Sequence, residues 1–282
     1  MKAFLGTGLL GANFVKAMCG RGESVQVWNR TSSKAKALEA YGATAFDEAV
    51  QAVTGADIVH LTLKDDSTVD EVLESASAGF SSGLIIIDHT TTSAVGAIER
   101  IKRWKDCGVD YLHAPVFMGP PNALEATGNM LVSGDQDLIA RISPELEKMT
   151  GKLINLGTEN GKAAGIKLVG NLFLISLTAG LSDVLALAKG LKINSDDVAA
   201  LFSSWNPGAG VPARFDKIRT GNFDNPSWEL DMARKDAGLM MDAAKEENVA
   251  LTVLPAVIAQ MDNWIAKGHG NDDWTVIAKD NL

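Results

Sequence analysis

Two residues with complementary chemistry, Lys167 and Asn171, stand four positions apart in a long apolar segment that contains no proline. In a helix this spacing puts both side chains on one face. Burial lowers the pKa of a lysine toward the range in which an amine serves as a general acid or base, and an asparagine beside it can orient a substrate oxygen. A second interpretation stays open from these residues alone, in which Lys167 lies at a helix rim and extends its ammonium to water.

The N-terminus carries a second chemical pattern, Gly6-Thr7-Gly8-Leu9-Leu10-Gly11, between a short apolar run and a helix-like segment. Gly6 permits a tight turn, Gly8 lets a pyrophosphate approach the backbone, and Gly11 allows the helix to pack closely on the strand. The unpaired N–H groups at the start of the helix then favour phosphate. The pattern predicts a dinucleotide site with contacts from Gly6, Gly8, Leu9, Leu10 and Gly11. A glycine turn without a ligand is the alternative.

The end of the second apolar run indicates which dinucleotide is bound. NAD-binding folds place an Asp or Glu about 20 residues beyond the glycines, to accept the ribose hydroxyls. Here the run ends in Asn29, Arg30 and Thr31, with Lys34 shortly after, and no carboxylate. Arg30 offers a planar donor fork to a 2′-phosphate, which a carboxylate would repel. We therefore predict NADP(H), although Arg30 is also compatible with an ordinary surface charge.

Composition excludes several classes of function. The 282 residues are 46% hydrophobic and 22% charged, with a net charge of −9. An acidic chain argues against a nucleic-acid surface and against docking on an anionic membrane. Two cysteines and four scattered histidines predict neither a disulfide framework nor a metal site. We expect a cytoplasmic protein without a signal peptide, in which the apolar run Leu168–Leu177 is a buried helix and not a membrane span.

Strand-length and helix-length segments alternate up to about residue 157, which predicts an α/β Rossmann domain with a parallel, doubly wound sheet. Only helical patterns follow, so residues 158–282 are expected to form an all-α domain. The predicted strands are 2–5, 25–28, 58–63, 84–88, 110–113, 130–133 and 152–155. The predicted helices are 9–21, 32–41, 67–77, 93–106, 136–149, 166–191, 195–204, 209–219, 230–247, 251–267 and 272–279.

In such a sheet the ligand lies at the carboxyl ends of the strands. We therefore expect the backbone of Leu63 and Lys64 to contact the cofactor. The following Asp65-Asp66 pair is expected to cap the next helix. His113 ends another strand, and a structural hydrogen-bonding role is favoured for it over catalysis.

The chain resembles the β-hydroxyacid dehydrogenase family nearly end to end, on four segments in the family's order and spacing: the glycine motif, Trp28–Thr31, Ala114–Val116 and Gly161…Lys167…Asn171. The segment Phe223…Trp228…Lys235 is similar to the family's C-terminal substrate-side motif. The resemblance implies that Lys167 is the catalytic lysine and Asn171 its partner. It implies further that Thr91 lies beside the nicotinamide, that Lys235 lies near the cleft, and that the helical domain forms a homodimer or homotetramer.

The substrate loop departs from the family pattern. The family's loop has a valine followed by a serine and glycines that hold a substrate carboxylate. This chain keeps the valine as Val116, but Phe117 replaces the serine and Met118 replaces a glycine, and all three are expected to bind substrate. Asn122 and Ala126 stand where glycines are usual, and Gly170 replaces the first asparagine of the family's K-x-x-N-N motif. The loop loses a hydroxyl donor and becomes more apolar, and Trp228 adds to this if it lines the pocket. Carboxylate binding by this loop is therefore open.

The resulting hypothesis is an NADP(H)-dependent oxidoreductase that transfers a hydride to or from a small β-hydroxyacid or semialdehyde, with Lys167 as general acid and base. An imine reductase is the enzymatic alternative: it suits the apolar loop, but such enzymes usually carry Asp or Tyr where this chain has Lys167. A non-catalytic NADP-binding interaction protein is the third possibility. The small-molecule substrate itself is not identified by the sequence.

Overall fold

A parallel sheet of short, buried strands forms the centre of the N-terminal part in the computed structural model, which describes residues 1–281. Strand β5 is buried at every position, as expected for a parallel sheet covered on both faces. The strands are β1 Lys2–Leu5, β2 Val25–Trp28, β3 Thr44–Phe46, β4 Ile58–Leu61, β5 Ile85–Asp88, β6 Asp110–His113, β7 Val116–Phe117, β8 Asn129–Val132 and β9 Lys152–Asn155.

Six strands form the main sheet in the order β3-β2-β1-β4-β5-β6, with parallel neighbours throughout. Leu5 at the end of β1 lies opposite Trp28 of β2 on one side and Leu61 of β4 on the other. The chain reverses its winding direction between β1 and β4, and a crevice opens at the carboxyl ends of these two strands. The predicted Rossmann fold is confirmed.

The last strands leave this sheet and form a second one, in the order β7-β8-β9. Strand β7 runs antiparallel to β8, with Val116 opposite Met130, whereas β8 and β9 are parallel. The prediction of a parallel, doubly wound sheet therefore holds for the six-stranded sheet and is wrong where β7 pairs with β8. Two residues of β7 are too few for a periodic pattern to be visible in the sequence.

The α-helices of the described chain are α1 Leu9–Gly20, α2 Ser32–Lys36, α3 Ala49–Val53, α4 Asp66–Ala76, α5 Ala94–Asp106, α6 Pro120–Glu125, α7 Gln136–Leu146, α8 Lys162–Gly190, α9 Ser195–Ser204, α10 Val211–Thr220, α11 Leu230–Glu246 and α12 Leu254–Ala266. Short 3₁₀ turns cover Glu39–Tyr41, Ser77–Gly79, Glu147–Met149, Pro207–Gly210 and Trp274–Asn281. The predicted helix over 32–41 is thus two short pieces, and α3 and α6 were not predicted.

Alternate residues of the central strands feed two separate cores, one on each face of the sheet. Phe4 belongs to the core on the face covered by α1, together with Phe14 and Met18. Leu5, its neighbour in sequence, packs in the core on the opposite face with Leu73 and Trp104. This alternation follows from the two-residue period of a strand.

The chain divides into two compact units, residues 1–172 and the part from Phe173 onward. The sequence pattern puts the boundary at residue 157; in the structure the first turns of α8 belong to the sheet-containing unit. The second unit is helical. Its core comprises Phe223, Leu230, Ala233, Ala237, Met261, Trp264 and Val276.

Helix α8 is 29 residues long, and by length and composition it is the one helix in the described chain that could cross a membrane. Its apolar side chains are largely exposed in the single chain, including Val169, Leu172 and Ile175 at 64%, 65% and 68%. The prediction that Leu168–Leu177 is a buried helix is therefore wrong for the single chain. The sequence pattern shows that this face is apolar, but not what covers it.

Candidate active site

The glycine motif forms the turn between β1 and α1, and two of its glycines are required by contacts within the protein. Gly6 has a φ of +91°, and a Cβ there would lie 2.2 Å from the backbone oxygen of Thr62. A Cβ on Gly11 would lie 2.1 Å from the backbone oxygen of Gly6 and 2.4 Å from Oγ1 of Thr62. The Thr62 hydroxyl donates a hydrogen bond of 2.8 Å to that Gly6 oxygen and fixes the turn.

Gly8 differs from these two because a Cβ there would meet nothing within 4 Å. No packing contact requires a glycine at the N-cap of α1, and the cap residue provides no side-chain hydrogen bond to the helix. The adjacent Thr7 hydroxyl is buried and has no hydrogen-bond partner among residues 1–281. An open backbone, unpaired helix N–H groups and an unsatisfied hydroxyl are the donors that a pyrophosphate uses, so this turn fits the predicted cofactor.

A cavity of about 420 Å³ extends from this turn over the end of β2. Its lining includes most of the predicted cofactor residues: Gly6, Gly8, Asn29, Arg30, Thr31, Lys34, Leu63 and Lys64. Glu71 of α4 also lines it. The lining cations outnumber the carboxylates, which suits a phosphorylated ligand.

Two polar side chains at this end are already engaged within the protein. The side chain of Asn29 accepts a hydrogen bond from the Thr7 amide at 3.0 Å and donates to the Thr31 carbonyl at 3.1 Å. The hydroxyl of Ser32, close to Thr31 in the same loop, donates a hydrogen bond to the Asp47 carboxylate at 2.5 Å. Asn29 therefore orders the loop, while Arg30 and Lys34 remain exposed to the cavity.

A second cavity of about 380 Å³ adjoins the first and shares Gly8, Thr62, Leu63 and Lys64 with it. It brings together residues from distant parts of the sequence: Leu9, Leu10, His89, Thr90, Thr91, Val116, Met118 and Lys167. The two cavities together run along the carboxyl edge of the sheet. The predicted phosphate turn and the predicted catalytic lysine thus lie along one continuous lining.

Lys167 is buried, with 9% of the residue exposed. Its Nζ lies 4.1 Å from the centre of the Phe117 ring, and no carboxylate of the described chain lies within ion-pairing distance. Burial lowers the pKa of Lys167 below the usual lysine value. The rim interpretation, with the ammonium in water, does not describe this side chain.

Asn171 lies one turn beyond Lys167 on α8 and is half-buried. Its side chain makes no hydrogen bond to the part of the chain that the structure describes, and it does not line the cavity around Lys167. Phe117 contacts Lys167 through its ring without lining that cavity. The structure thus brings Lys167 into the cavity together with Val116, Met118 and Thr91, and it leaves Asn171 at the edge.

A buried histidine pair below this cavity is absent from the sequence interpretation. Nδ1 of His89 lies 2.8 Å from the Ala114 carbonyl oxygen, so this nitrogen carries the proton and donates. Nε2 of His89 therefore accepts, and Nδ1 of His60 donates to it at 3.1 Å. Burial lowers the pKa of His89 to about 4 and holds the pKa of His60 well below its usual value, so both rings stay neutral. Both nitrogens of His89 are thus bonded within the protein, so the ring lines the cavity as a neutral, structural group and not as an acid.

Residues at other strand ends fix the backbone near the cavity, and among them only His113 had a structural role predicted from the sequence. The Thr90 hydroxyl accepts a hydrogen bond from the Leu63 amide at 2.9 Å, and the Asp88 carboxylate accepts from the Thr90 amide at 2.8 Å. His113 is buried and its Nε2 donates to the Thr90 carbonyl at 2.9 Å, the structural role predicted for it. The sequence could have indicated these residues by their position alone, because each of them ends or follows a strand. Asp65 accepts from the Thr68 amide and caps α4 as predicted.

Two predicted residues belong to the second unit. Trp228 is 40% exposed, with its ring centre 5.6 Å from that of Trp274. Lys235 is exposed on α11 and pairs with its neighbour Asp236 at 3.0 Å. Their parts in cofactor and substrate binding stay predictions.

The remaining features do not compete with this site. Within residues 1–281 no group of three His, Cys, Asp or Glu side chains could hold a metal ion. A larger cavity of about 620 Å³ is lined by Ser77, Phe80, Arg103 and Trp104, and none of the predicted site residues lines it.

Comparison with known proteins agrees with this geometry. Residues 2–157 match the family described as the NAD binding domain of 6-phosphogluconate dehydrogenase. Over 280 residues the chain is 25% identical to the 3-sulfolactaldehyde reductase of Escherichia coli (strain K12), covering 98% of this chain and 93% of that protein. It is 28% identical over 282 residues to the probable 3-hydroxyisobutyrate dehydrogenase of Mycobacterium tuberculosis (strain ATCC 25618 / H37Rv), covering 98% and 95%. The chain belongs to the β-hydroxyacid dehydrogenase family.

Membership of this family makes the chain an NAD(P)-dependent oxidoreductase. Among solved structures, the imine reductase from Myxococcus stipitatus in complex with NADP⁺ superposes with a TM-score of 0.93 over 99% of both chains, at 21% identity. At that identity the likeness establishes the shared fold alone.

Proposed function

We propose that this β-hydroxyacid dehydrogenase family member is an NADPH-dependent reductase of a small carbonyl compound of the semialdehyde type, which it converts to the hydroxyacid-type alcohol. The observation that carries the proposal is Lys167, a buried amine with no carboxylate partner in the described part of the chain, in a cavity continuous with the glycine turn. NADP(H), when bound, supplies or accepts the hydride. The Gly8 turn and the Thr7 hydroxyl would hold its pyrophosphate, and Arg30 and Lys34 its 2′-phosphate.

Lys167 holds the proton that the reduction requires. As the carbonyl oxygen gains negative charge, Nζ donates a proton to it and stabilises that charge; in the oxidative direction the neutral amine takes the proton back. The lowered pKa of Lys167 suits both directions, since each protonation state is then accessible closer to neutral pH. Val116 and Met118 line the same cavity and exclude water from the reacting oxygen.

The test compares Lys167→Met with Lys162→Met, a matched control in the first turn of the same helix. Lys162 is 41% exposed and pairs with Glu159 at 3.3 Å. We expect Lys167→Met to lower kcat/KM by about 10²-fold or more, the usual contribution of a positioned acid, while the Kd for NADPH is retained. Lys162→Met should keep both. Wild-type turnover by Lys167→Met would refute the assignment.

The apolar wall of Val116 and Met118 also favours a second candidate, an imine reductase. A steady-state screen of semialdehydes, glyoxylate, hydroxyacids and cyclic imines, with NADPH and NADH in parallel, separates the two. Turnover of a cyclic imine without turnover of any carbonyl compound selects the imine reductase. Tight NADPH binding without any turnover would instead indicate a non-catalytic NADP-binding protein.

We further propose that a second copy of the chain covers the exposed apolar face of α8, as a homodimer or within a homotetramer. The face includes Val169, Leu172 and Ile175, and an exposed apolar surface of this length in water marks an interface. A cytoplasmic location is part of the same proposal. Sedimentation or light scattering should give twice the chain mass or a higher multiple, and Ile175→Glu should shift the protein toward the monomer. A wild-type monomer in detergent-free buffer contradicts this assembly.

A further inference from the structure

The ring of Phe117 occupies the space beside Gly170. A Cβ built on Gly170 would lie 2.3 Å from Cζ and 2.7 Å from Cε1 of this ring, closer than van der Waals contact allows. The ring and any larger side chain at position 170 therefore exclude one another. Both residues depart from the family pattern, in which a serine and an asparagine stand at these positions, and in this structure the two departures meet in a single contact.

The same ring faces the ammonium of Lys167. Nζ lies 4.1 Å from the ring centre, a distance at which the π face attracts a cation. The edge of the ring thus contacts Gly170 and its face contacts Lys167. A change at position 170 that displaces the ring therefore also alters its contact with the Lys167 ammonium. Phe117 therefore links the residue at position 170 to the position of the reactive amine.

In the loop that carries Phe117, a backbone amide that could bind an anion already donates a hydrogen bond within the protein. The Gly119 amide donates to Oδ1 of Asn122 at 2.8 Å, and Nδ2 of Asn122 donates to the Thr127 hydroxyl at 2.9 Å. Asn122 thus turns a backbone donor inward. With Val116 and Met118 lining the cavity, the side chains of this wall present only apolar surface next to Lys167.

We propose that Phe117 and Gly170 are a matched pair that makes this site select an uncharged carbonyl substrate, with an apolar substituent against the wall and its oxygen on Lys167. The inference rests on the proposed reductase function and narrows its substrate to a carbonyl compound of semialdehyde size whose carboxylate is absent or esterified. A substrate carboxylate placed here would lose its water shell without gaining a hydrogen bond from the wall, and it would compete with the reacting oxygen for the Lys167 ammonium. An ester or alkyl group carries no charge, so it loses far less hydration free energy in the same position.

The test uses a matched substrate pair, succinic semialdehyde and its methyl ester, with NADPH. For the wild-type protein we expect kcat/KM for the ester to exceed that for the acid by tenfold or more. The double variant Phe117→Ser/Gly170→Asn restores two polar side chains, and it should shift the acid-to-ester ratio toward the acid by at least tenfold.

Two single-site comparisons test the contact itself. Gly170→Ala forces the ring off its position and should lower kcat/KM for the ester by tenfold or more. Gly165→Ala, on the same helix with nothing within 4 Å of its Cβ, should leave it unchanged. Independently of turnover, Gly170→Asn should lower the Tm of the wild-type protein and should not lower it in the Phe117→Ser background.

The outcomes separate the two levels of inference. If neither aldehyde is reduced, the proposed function fails and the substrate selection fails with it. If both are reduced and the acid is preferred or equal, the reductase stands and the selection is overturned. If Gly170→Asn lowers the Tm equally with and without Phe117→Ser, the two residues are independent and the matched pair is refuted.

Discussion

Within the glycine turn Gly6–Gly11, a substitution at Gly8 tests ligand binding and a substitution at Gly11 tests packing. A Cβ on Gly11 would lie 2.1 Å from a backbone oxygen and 2.4 Å from the Thr62 hydroxyl, whereas a Cβ on Gly8 would meet nothing within 4 Å. We therefore expect Gly11→Ala to impair folding and Gly8→Ala to impair cofactor binding.

The magnitudes follow from these distances. In a helix interior Gly→Ala normally stabilises by roughly 0.5–1 kcal/mol. At Gly11 this gain is opposed by overpacking against a backbone atom that cannot rotate away, a term of about 1–3 kcal/mol or more. We expect a net loss of about 2 kcal/mol, which corresponds to a Tm lower by roughly 4–8 °C in a domain of this size. At the N-cap position of Gly8, Ala costs only about 0.5–1 kcal/mol.

NADPH binding should show the reverse order. A methyl group on Gly8 occupies the side from which the pyrophosphate reaches the amides, so the Kd should rise at least tenfold, about 1.4 kcal/mol. The assay pairs urea unfolding followed by circular dichroism with titration of NADPH fluorescence. Wild-type NADPH affinity in Gly8→Ala would mean that the turn is not the pyrophosphate site. Wild-type stability in Gly11→Ala would refute the packing interpretation.

Three further predictions concern charge. Arg30→Ala should raise the Kd for NADPH about tenfold and leave that for NADH within about twofold, since a charge-assisted phosphate contact contributes about 1.5–3 kcal/mol; equal losses for both cofactors, measured by the same titration, contradict the 2′-phosphate assignment. For Lys167, burial lowers the pKa, so the reductive kcat/KM should fall as pH rises through a value below the ordinary lysine pKa of about 10.4; a pH–rate profile that is flat through pH 10 contradicts this. In the second unit Asp273 is fully buried; burial acts to raise its pKa, but hydrogen bonds from Lys217, Thr275 and Ser227 outweigh this and hold the pKa well below its usual range. Its contribution to stability is therefore present above the unfolded-state pKa of about 3.9 and is lost as pH falls below it, so Asp273→Asn should lower the free energy of unfolding by about 3–5 kcal/mol at pH 7, with the gap narrowing in acid; an equal gap at pH 3 and pH 7 in urea titrations contradicts this.

The sequence predicted those parts of the molecule that depend on local patterns. The strand–turn–helix around Gly6, Gly8 and Gly11 is recognisable because every part of it lies within consecutive residues. Five of the six strands of the main sheet follow from regular alternation, and the three-residue edge strand β3 was not predicted. The helix Ser195–Ser204 was predicted with its true start because Asp196 and Asp197 after Ser195 form a clear start signal.

Several of the misses share a physical cause, since they depend on a contact between residues that are distant in the sequence. His60 is one residue in an apolar strand, and only the fold brings its Nδ1 to His89. Strand β7 exists because Val116 meets Met130, and its own two residues carry no period. Asn29 was predicted to contact the cofactor, and the sequence could not show that its side chain already accepts a hydrogen bond from the Thr7 amide.

Composition shows that a helix face is apolar, but it does not show which surface covers that face. Residues 168–177 are apolar enough for a protein core, and the chain itself leaves them exposed. The sequence is equally silent on what surrounds Lys167 at the start of this helix. Lys167 is the reactive amine proposed here because the end of one strand and the wall at Val116 and Met118 meet around it, and the spacing to Asn171 contributed only the helix face. The cofactor half of this site is therefore encoded locally and the substrate half by tertiary contact, so that replacing two residues, Phe117 and Gly170, is expected to change the substrate without changing the dinucleotide.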